Sequence, residues 1–319
     1  MTPVQTRLLT VDDVEHITYA AMMLARGRLV AMPTETVYGL AGDARNPAAV
    51  AAIYAAKGRP SFNPLIVHAP DIETARTIGR LGDQAETLAR ALWPGALTLV
   101  VPLRSDAGIA SLVTAGLDTV AIRVPAHPAA QALLSAFGGV VAAPSANPSG
   151  RISATTAEHV MAGLDGRIAA VLDAGPCAVG VESTIIGWQD GAPLLLRPGG
   201  IPAERIADLL GRAPARPAHP AGDRPAAPGM LSSHYAPRAP VRLNVTRAQE
   251  GEFLIGFGAI AGHANLSADG DLTEAAARLF DLLHLADASG RPIAVAPVPA
   301  HGLGAAINDR LARAAAPRS

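Results

Sequence analysis

The sequence predicts an α/β protein with a second, smaller α/β unit behind a proline-rich linker. Three features carry that reading. Strand and helix signals alternate along about the first 205 residues. Residues 211–240 then hold seven prolines among Gly and Ala, which excludes a helix or a central strand there and makes a semi-extended linker. Beyond it a short βα pattern returns. The predicted organisation is a first domain over 1–210, a linker over 211–240 and a small domain over 241–319.

Taken in order, Asp12 or Asp13 caps a helix that runs through Ile17, Ala20, Ala21 and Leu24 to Gly27. Residues 28–32 read as a short strand ending at Pro33. Asn46 followed by Pro47 is a cap with a first-turn proline. The helix it opens carries Val50, Ile53 and Tyr54 on one face and stops at Gly58. Apolar runs at 64–68, 97–102, 119–124, 140–143, 170–173, 183–187 and 194–197 read as further strands. In the last part, a strand at 253–258 is followed by helices at 272–286 and 304–315, which flank a strand at 293–298. That is a small Rossmann-like layer. Its GFGAIAG, residues 256–262, has one residue too many for a dinucleotide fingerprint and no well-placed acid after it, so turn glycines are the reading and NAD is not expected.

Composition narrows the class. The 319 residues are 50% hydrophobic, 3% aromatic and 17% charged, with a net charge of −1, which is no footprint for bulk nucleic-acid or anionic-membrane binding. One cysteine, Cys177, excludes an internal disulfide and has no adjacent base, so it reads as structural. No apolar run nears the ~18 residues of a membrane span, and the first residues lack a signal-peptide pattern. A cytoplasmic protein is expected. Histidines are scattered without metal-ligand spacing, so no zinc site is expected.

Of 26 basic residues a single one, Lys57, is lysine. It stands in Ala-Lys-Gly, which excludes a phosphate loop of the Gly-Lys-Ser/Thr kind. Codon bias explains the arginines; the surviving lysine marks either chance or a place that needs a compact ammonium.

Four segments bring polar groups to strand ends. PTETVYGL, 33–40, is either a site loop or a turn with a helix cap. KGRPSFNPLIVH, 57–68, brackets a glycine with Lys57 and Arg59, which hold either an anion through their side chains or the last carbonyls of a helix. His68 ends its strand as a structural or a site residue. VVAAPSANPSGRISATT, 140–156, offers Ser145, Asn147 and Ser153 in what is a nucleotide loop or an ordinary surface turn. DAGPCAVGVESTIIG, 173–187, followed by LLLRPGG, 194–200, puts Glu182, Ser183 and Thr184 at a strand mouth. Arg197, at the end of the next strand, clamps a phosphate or covers a sheet edge.

In this order and spacing the four segments resemble the YrdC-like threonylcarbamoyl-AMP synthase family, over nearly all of residues 10–205. SSHYAP in the linker and the late GLGAAINDRLARAA resemble its longer, two-domain version. The resemblance implies a twisted mixed α/β sheet with an open, basic concave face. It implies an ATP-dependent synthesis of threonylcarbamoyl-AMP from L-threonine and bicarbonate or CO2, with release of pyrophosphate. This would be the first step of threonylcarbamoyladenosine modification at tRNA position 37, and separate transferase proteins would consume the product. By position, Lys57 and Arg59 would be catalytic. Lys57, Arg59, Asn63, Thr119, Ser145, Asn147, Ser153, Arg197 and Tyr235 would bind ATP. Thr34, Thr36, His68, Arg123, Ala143 and Ser183 would bind threonine, with Arg123 as a bidentate carboxylate clamp. Mg²⁺ would come with ATP, since no acidic cage is visible. Two other readings stand beside it: a tRNA- or double-stranded-RNA-binding module, against which the net charge counts, and an enzyme using Lys57 with pyridoxal phosphate, a cofactor that is not expected.

Overall fold

The computed structural model describes residues 5–217 and 234–317. The greater part of the linker, 218–233, lies outside the described residues. The first sheet holds β1 (Arg7–Thr10), β2 (Val30–Met32), β3 (Gly39–Asp43), β4 (Ile66–His68) and β5 (Leu97–Pro102). It continues with β6 (Thr119–Arg123), β7 (Val141–Ala142), β8 (Ala170–Asp173), β9 (Thr184–Gln189) and β10 (Ala192–Arg197). The order across it is β1-β8-β2-β3-β7-β4-β6-β5-β9-β10, with parallel and antiparallel pairs mixed. Its helices are α1 (Val14–Ala25), α2 (Pro47–Lys57), α3 (Ile72–Ile78), α4 (Asp83–Leu92), α5 (Ser111–Thr114), α6 (Pro128–Phe137), α7 (Ala157–Leu164) and α8 (Ala203–Leu210).

Local chemistry sets the helix ends that the sequence marks. Asp13 caps α1 through Glu15 N, and Asn46 caps α2 ahead of Pro47. Gly58 ends α2 in the left-handed conformation at φ 62°, a geometry glycine adopts without a Cβ clash.

The period-2 alternation of strands divides the core. Ala31, Leu40, Val67, Leu97, Leu99, Val120 and Ile122 face the layer that holds α2, α3, α4, α7 and α8. On the opposite face, α1 and α6 cover Val30, Met32, Ala41, Val141 and Leu172. They cover only the β1-to-β7 half. The other half of that face carries a thin apolar strip, Ile66, Ala121 and Ile185 with Val100 and Leu196, and no helix of the first domain packs on it. That uncovered half is where a site can form.

The second domain has a four-stranded, all-parallel sheet of β11 (Val241–Arg242), β12 (Phe253–Gly256), β13 (Ala264–Asn265) and β14 (Ile293–Val295), ordered β11-β14-β12-β13. Helices α9 (Leu272–Ala288) and α10 (Gly304–Ala315) complete it. Its core extends into the first domain, joining Val37, Ile152 and Val181 to Leu279, Phe280 and Ala276. At this seam Gly180, with φ 73°, lies so close to α9 that a Cβ would come 2.3 Å from the Ala276 carbonyl oxygen. Near GFGAIAG, Gly256 and Gly262 sit where a Cβ would meet backbone at 2.1 and 2.4 Å, so these glycines serve close chain packing.

Candidate active site

Strand register builds the site. In the parallel pair β4–β6, His68 lies opposite Arg123, so both strand-end side chains share the uncovered face. Parallel pairing of β5 with β9 sets Leu97 against Thr184 and brings Ser183 beside Thr98, whose hydroxyls share a 2.7 Å hydrogen bond. A cavity opens between these strand ends and the loops that follow β2, α2 and β7. It is walled by Thr34, Thr36, Arg59, His68, Arg123 and Ala143, and on its other side by Ser145, Ser183, Arg197 and Tyr235.

PTETVYGL is a buried turn that runs into β3, not into a helix. The Thr34 hydroxyl donates to Val37 O at 2.6 Å and shares a 2.9 Å hydrogen bond with Thr36. Arg123 donates from Nη1 to Thr36 Oγ1 at 2.8 Å and from Nε to Gly95 O at 3.1 Å, and its Nη2 lies 2.6 Å from Glu35 Oε1. N–H groups remain on both terminal nitrogens. Burial would raise the Glu35 carboxyl, but Arg123 outweighs it and holds Glu35 below its ordinary range.

His68 is buried, and burial, with Arg123 beside it, pushes its pKa down to about 3. The ring is therefore neutral at ordinary pH. Its Nδ1 lies 3.3 Å from Ile66 O, which assigns the proton there and leaves Nε2 as an acceptor. Arg59 donates to Pro64 O from Nη2 at 3.2 Å, and burial lowers it to about 10. Arg197 donates to Ser183 O at 2.9 Å and to Ser183 Oγ at 3.2 Å, tying the ends of β9 and β10 together. Three buried arginines on one cavity give it the chemistry to receive an anion.

Five sequence-expected residues do not line this cavity. Lys57 is 3% exposed, and its ammonium donates to the carbonyls of Ser145 (2.5 Å) and Asn147, one layer behind the wall. The reason is helical: α2 ends at Lys57, and its last turn lies under the 145–147 loop. Burial first, then the Arg59 charge, hold Lys57 well below the ordinary lysine range. Asn147 turns its amide nitrogen onto Pro148 O and Arg151 O, building its own loop. Ser153 donates to Glu182 Oε1 at 2.5 Å. Both polar atoms of the Asn63 side chain are buried without a partner among the described residues. Thr119 stands at the far end of β6, beside a separate groove with Pro102, Gln189 and Leu194. It nonetheless shares the face of Ala121 and Arg123, about 13 Å from Arg123 along the strand.

Sequence reasoning missed Glu182 and His234 as wall residues. Glu182 stood in a flagged strand mouth, but nothing in the sequence says which of three adjacent polar residues points inward. His234 is part of SSHYAP, and with Tyr235 it brings the end of the linker into the cavity wall. Tyr235 holds φ 61°, its amide donates to His234 Nδ1 at 3.0 Å, and the next amide, Ala236 N, donates to Gly150 O at 2.8 Å. Cys177 is buried behind the wall, next to the Thr34 backbone, and burial pushes its thiol up to about 12. Among the described residues no helix is long and apolar enough to cross a membrane.

A family model described as telomere recombination, covering Sua5, YciO and YrdC proteins, matches residues 22–199. A second, threonylcarbamoyl-AMP synthase C-terminal domain, matches residues 201–316. The threonylcarbamoyl-AMP synthase of Bacillus subtilis is 43% identical over 95% of this chain and 94% of its own length. The chain belongs to the threonylcarbamoyl-AMP synthase family. Its members' names describe a nucleotidyltransferase-type enzyme, and this protein is one. The crystal structure of Pyrococcus abyssi Sua5 complexed with L-threonine superposes with a TM-score of 0.90 at 37% identity, covering 97% of this chain and 98% of that one. Escherichia coli YciO, at 21% identity and a TM-score of 0.55 over 61% of this chain and 96% of its own, shares the fold of the first domain.

Proposed function

We propose that the protein makes threonylcarbamoyl-AMP and pyrophosphate from ATP, L-threonine and bicarbonate or CO2. The observation that carries this is the convergence of Arg59, Arg123 and Arg197 with His68 and Ser183 on one cavity at the strand ends. The similar P. abyssi protein was solved with L-threonine, which supports the amino acid as one substrate.

The terminal nitrogens of Arg123 receive the threonine carboxylate. His68 Nε2 accepts from the amine; at a pKa of about 3 it is a positioning acceptor and too weak a base to take the proton outright. Thr34, Thr36, Ala143 and Ser183 shape the remaining wall around this end. The amine adds to CO2 and releases a proton, giving a carbamate. A carbamate oxygen then bonds to the α-phosphorus as the bond to the β-phosphate oxygen breaks, and pyrophosphate leaves with that electron pair. Such transfers depend on positioning and on neutralising charge. Arg59, Arg197 and Ser145 do this for the phosphates. The apolar strip of Ile66, Ala121 and Ile185 leads from there toward Thr119 and offers a surface for the adenine. Asn63 lies behind the wall, where its backbone carbonyl accepts from Arg59 Nε at 3.4 Å and helps to hold that arginine. Lys57, Asn147 and Ser153 act by holding the loops that carry these contacts. His234 and Tyr235 lie over the nucleotide.

Mg²⁺ enters as part of the MgATP substrate. The donor set fits that role, because Glu182, the carboxylate in the cavity wall, and Glu35 beside Arg123 are both committed to arginines, and phosphate oxygens and water remain to hold the ion. The product passes in the cytoplasm to tRNA threonylcarbamoyl transferase proteins for modification at position 37, with direct tRNA contact a question for binding assays. Mass-spectrometric detection of a threonylcarbamoyl adduct of AMP, carrying label from bicarbonate, tests the reaction; an unlabelled AMP adduct would contradict it.

A further inference from the structure

Arg310, on α10 of the second domain, is 0% exposed and reaches the wall of the first domain's cavity. Its Nε donates to Glu182 Oε2 at 2.7 Å and its Nη1 to Pro198 O at 2.9 Å, in the turn directly after Arg197. The guanidinium carbon stands 5.3 Å from the centre of the Tyr235 ring. One side chain thus touches three pieces of the wall: the Glu182 strand mouth, the Arg197 turn and the Tyr235 cover. Glu182 is the carboxylate that lines the cavity, and its other oxygen accepts from Ser153.

A carboxylate in the wall of a polyanion site is an electrostatic liability, since like charges in a dry cavity repel strongly. Arg310 removes it by holding Glu182 turned toward α10 in a two-oxygen network. Adhesion between the domains does not require this pair. Val37, Ile152 and Val181 already pack on Leu279 and Phe280, and Gly180 lies against the α9 backbone. A buried ion pair is in any case weak support for stability and better suited to fixing one geometry. Burial would raise the Glu182 carboxyl, but Arg310 and then Arg197 outweigh that and keep it ionised.

We propose that Arg310 is a positioning residue for nucleotide binding, acting through Glu182, so that the phosphate site is complete only with the second domain docked. The inference rests on the reading of the cavity as an ATP site. It gives the second domain a direct electrostatic part in the site, besides carrying one end of the linker.

The test is a double-mutant cycle on Glu182 and Arg310 in the full chain, read as the dissociation constants of ATP and of L-threonine. Arg310→Met should weaken ATP by about tenfold or more while threonine changes by less than about threefold. Placing Glu182→Gln in the same chain should restore ATP affinity to within about threefold of Glu182→Gln alone. A merely structural arginine would weaken both ligands together and would not be relieved by the neutral glutamine. Should Arg310→Met fail to fold, the comparison of Glu182→Gln with Glu182→Gln/Arg310→Gln decides alone. A loss of about tenfold or more in ATP affinity between those two overturns the proposal, and so does a wild-type chain that binds no ATP. Since binding is read, a wild type that binds ATP without releasing pyrophosphate contradicts the proposed reaction and not this inference.

Discussion

His159 of α7 and His284 of α9 stack face to face across the domain boundary, with ring centroids 3.8 Å apart and planes at 17°. The His284 ring also lies 3.1 Å by Nε2 from the carbonyl oxygen of Ser153, the residue that bonds Glu182. Domain docking and the cavity wall are therefore mechanically joined.

The stack makes docking pH-dependent. Burial, then the facing ring, lowers His159 to about 4, and burial lowers His284. Asp281, 3.7 Å from His159, and the nearby Glu158 and Asp287 offset this only in part. Undocked, each ring returns toward about 6.5. The docked form thus binds fewer protons, its stability is fully present above that value, and it weakens as pH falls toward 4. Protection factors along α9, taken relative to the intrinsic exchange rate at each pH, should fall from pH 7 to pH 5 in the wild type and less so in His159→Phe/His284→Phe. An equal fall in both would remove the histidines from the explanation.

Arg123 should separate the two substrates. Arg123→Lys keeps one charge but loses the planar fork that Glu35, Thr36 and Gly95 hold in place. We expect the threonine dissociation constant to rise about 10- to 100-fold, with ATP affinity changed by less than about threefold. Calorimetric titration of each ligand checks this, and an equal loss of both would contradict the assignment.

Lys57 braces a loop, so its removal acts through that loop. Lys57→Ala leaves the carbonyls of Ser145 and Asn147 without their donor, which should cost about 1–3 kcal/mol of stability and weaken ATP more than threonine. Lys57→Arg keeps the charge in a space cut for a compact ammonium and should recover only part of either. Thermal unfolding with ligand titration measures both effects; full activity in Lys57→Ala would return the lysine to chance survival.

At Gly180 a single methyl group is enough to disturb the seam. Gly180→Ala places a Cβ 2.3 Å from Ala276 O at a left-handed φ, so the second domain must shift. ATP affinity should fall while the first domain's far strands keep their exchange protection. Unchanged affinity would show that docking and the site are independent.

Much of the fold could be read from the chain because its signals are local. Asp13, Asn46 with Pro47, and Gly58 fix two helices through caps, and the run at 97–102 is β5 as it stands. β1 and β3 escaped notice. β1 is four residues long with one buried, and β3, GLAGD, is glycine-rich and takes its strand form from pairing with β2 and β7. Helices α6 and α7 span only 10 and 8 residues, too short for a helical repeat to stand out along the chain, and owe their form to packing on the sheet. For the site, strand ends were legible because α/β sheets gather function there. Which polar atoms face the cavity was not. Lys57 and Asn147 sit in site motifs yet serve the loop, and Arg310 lies 128 residues from the Glu182 it holds.

The most direct test of the whole account is pyrophosphate release by the purified chain with L-threonine and bicarbonate withheld in turn. Release that needs ATP, threonine and bicarbonate together is the expected result. Pyrophosphate formed at the same rate without threonine would contradict it.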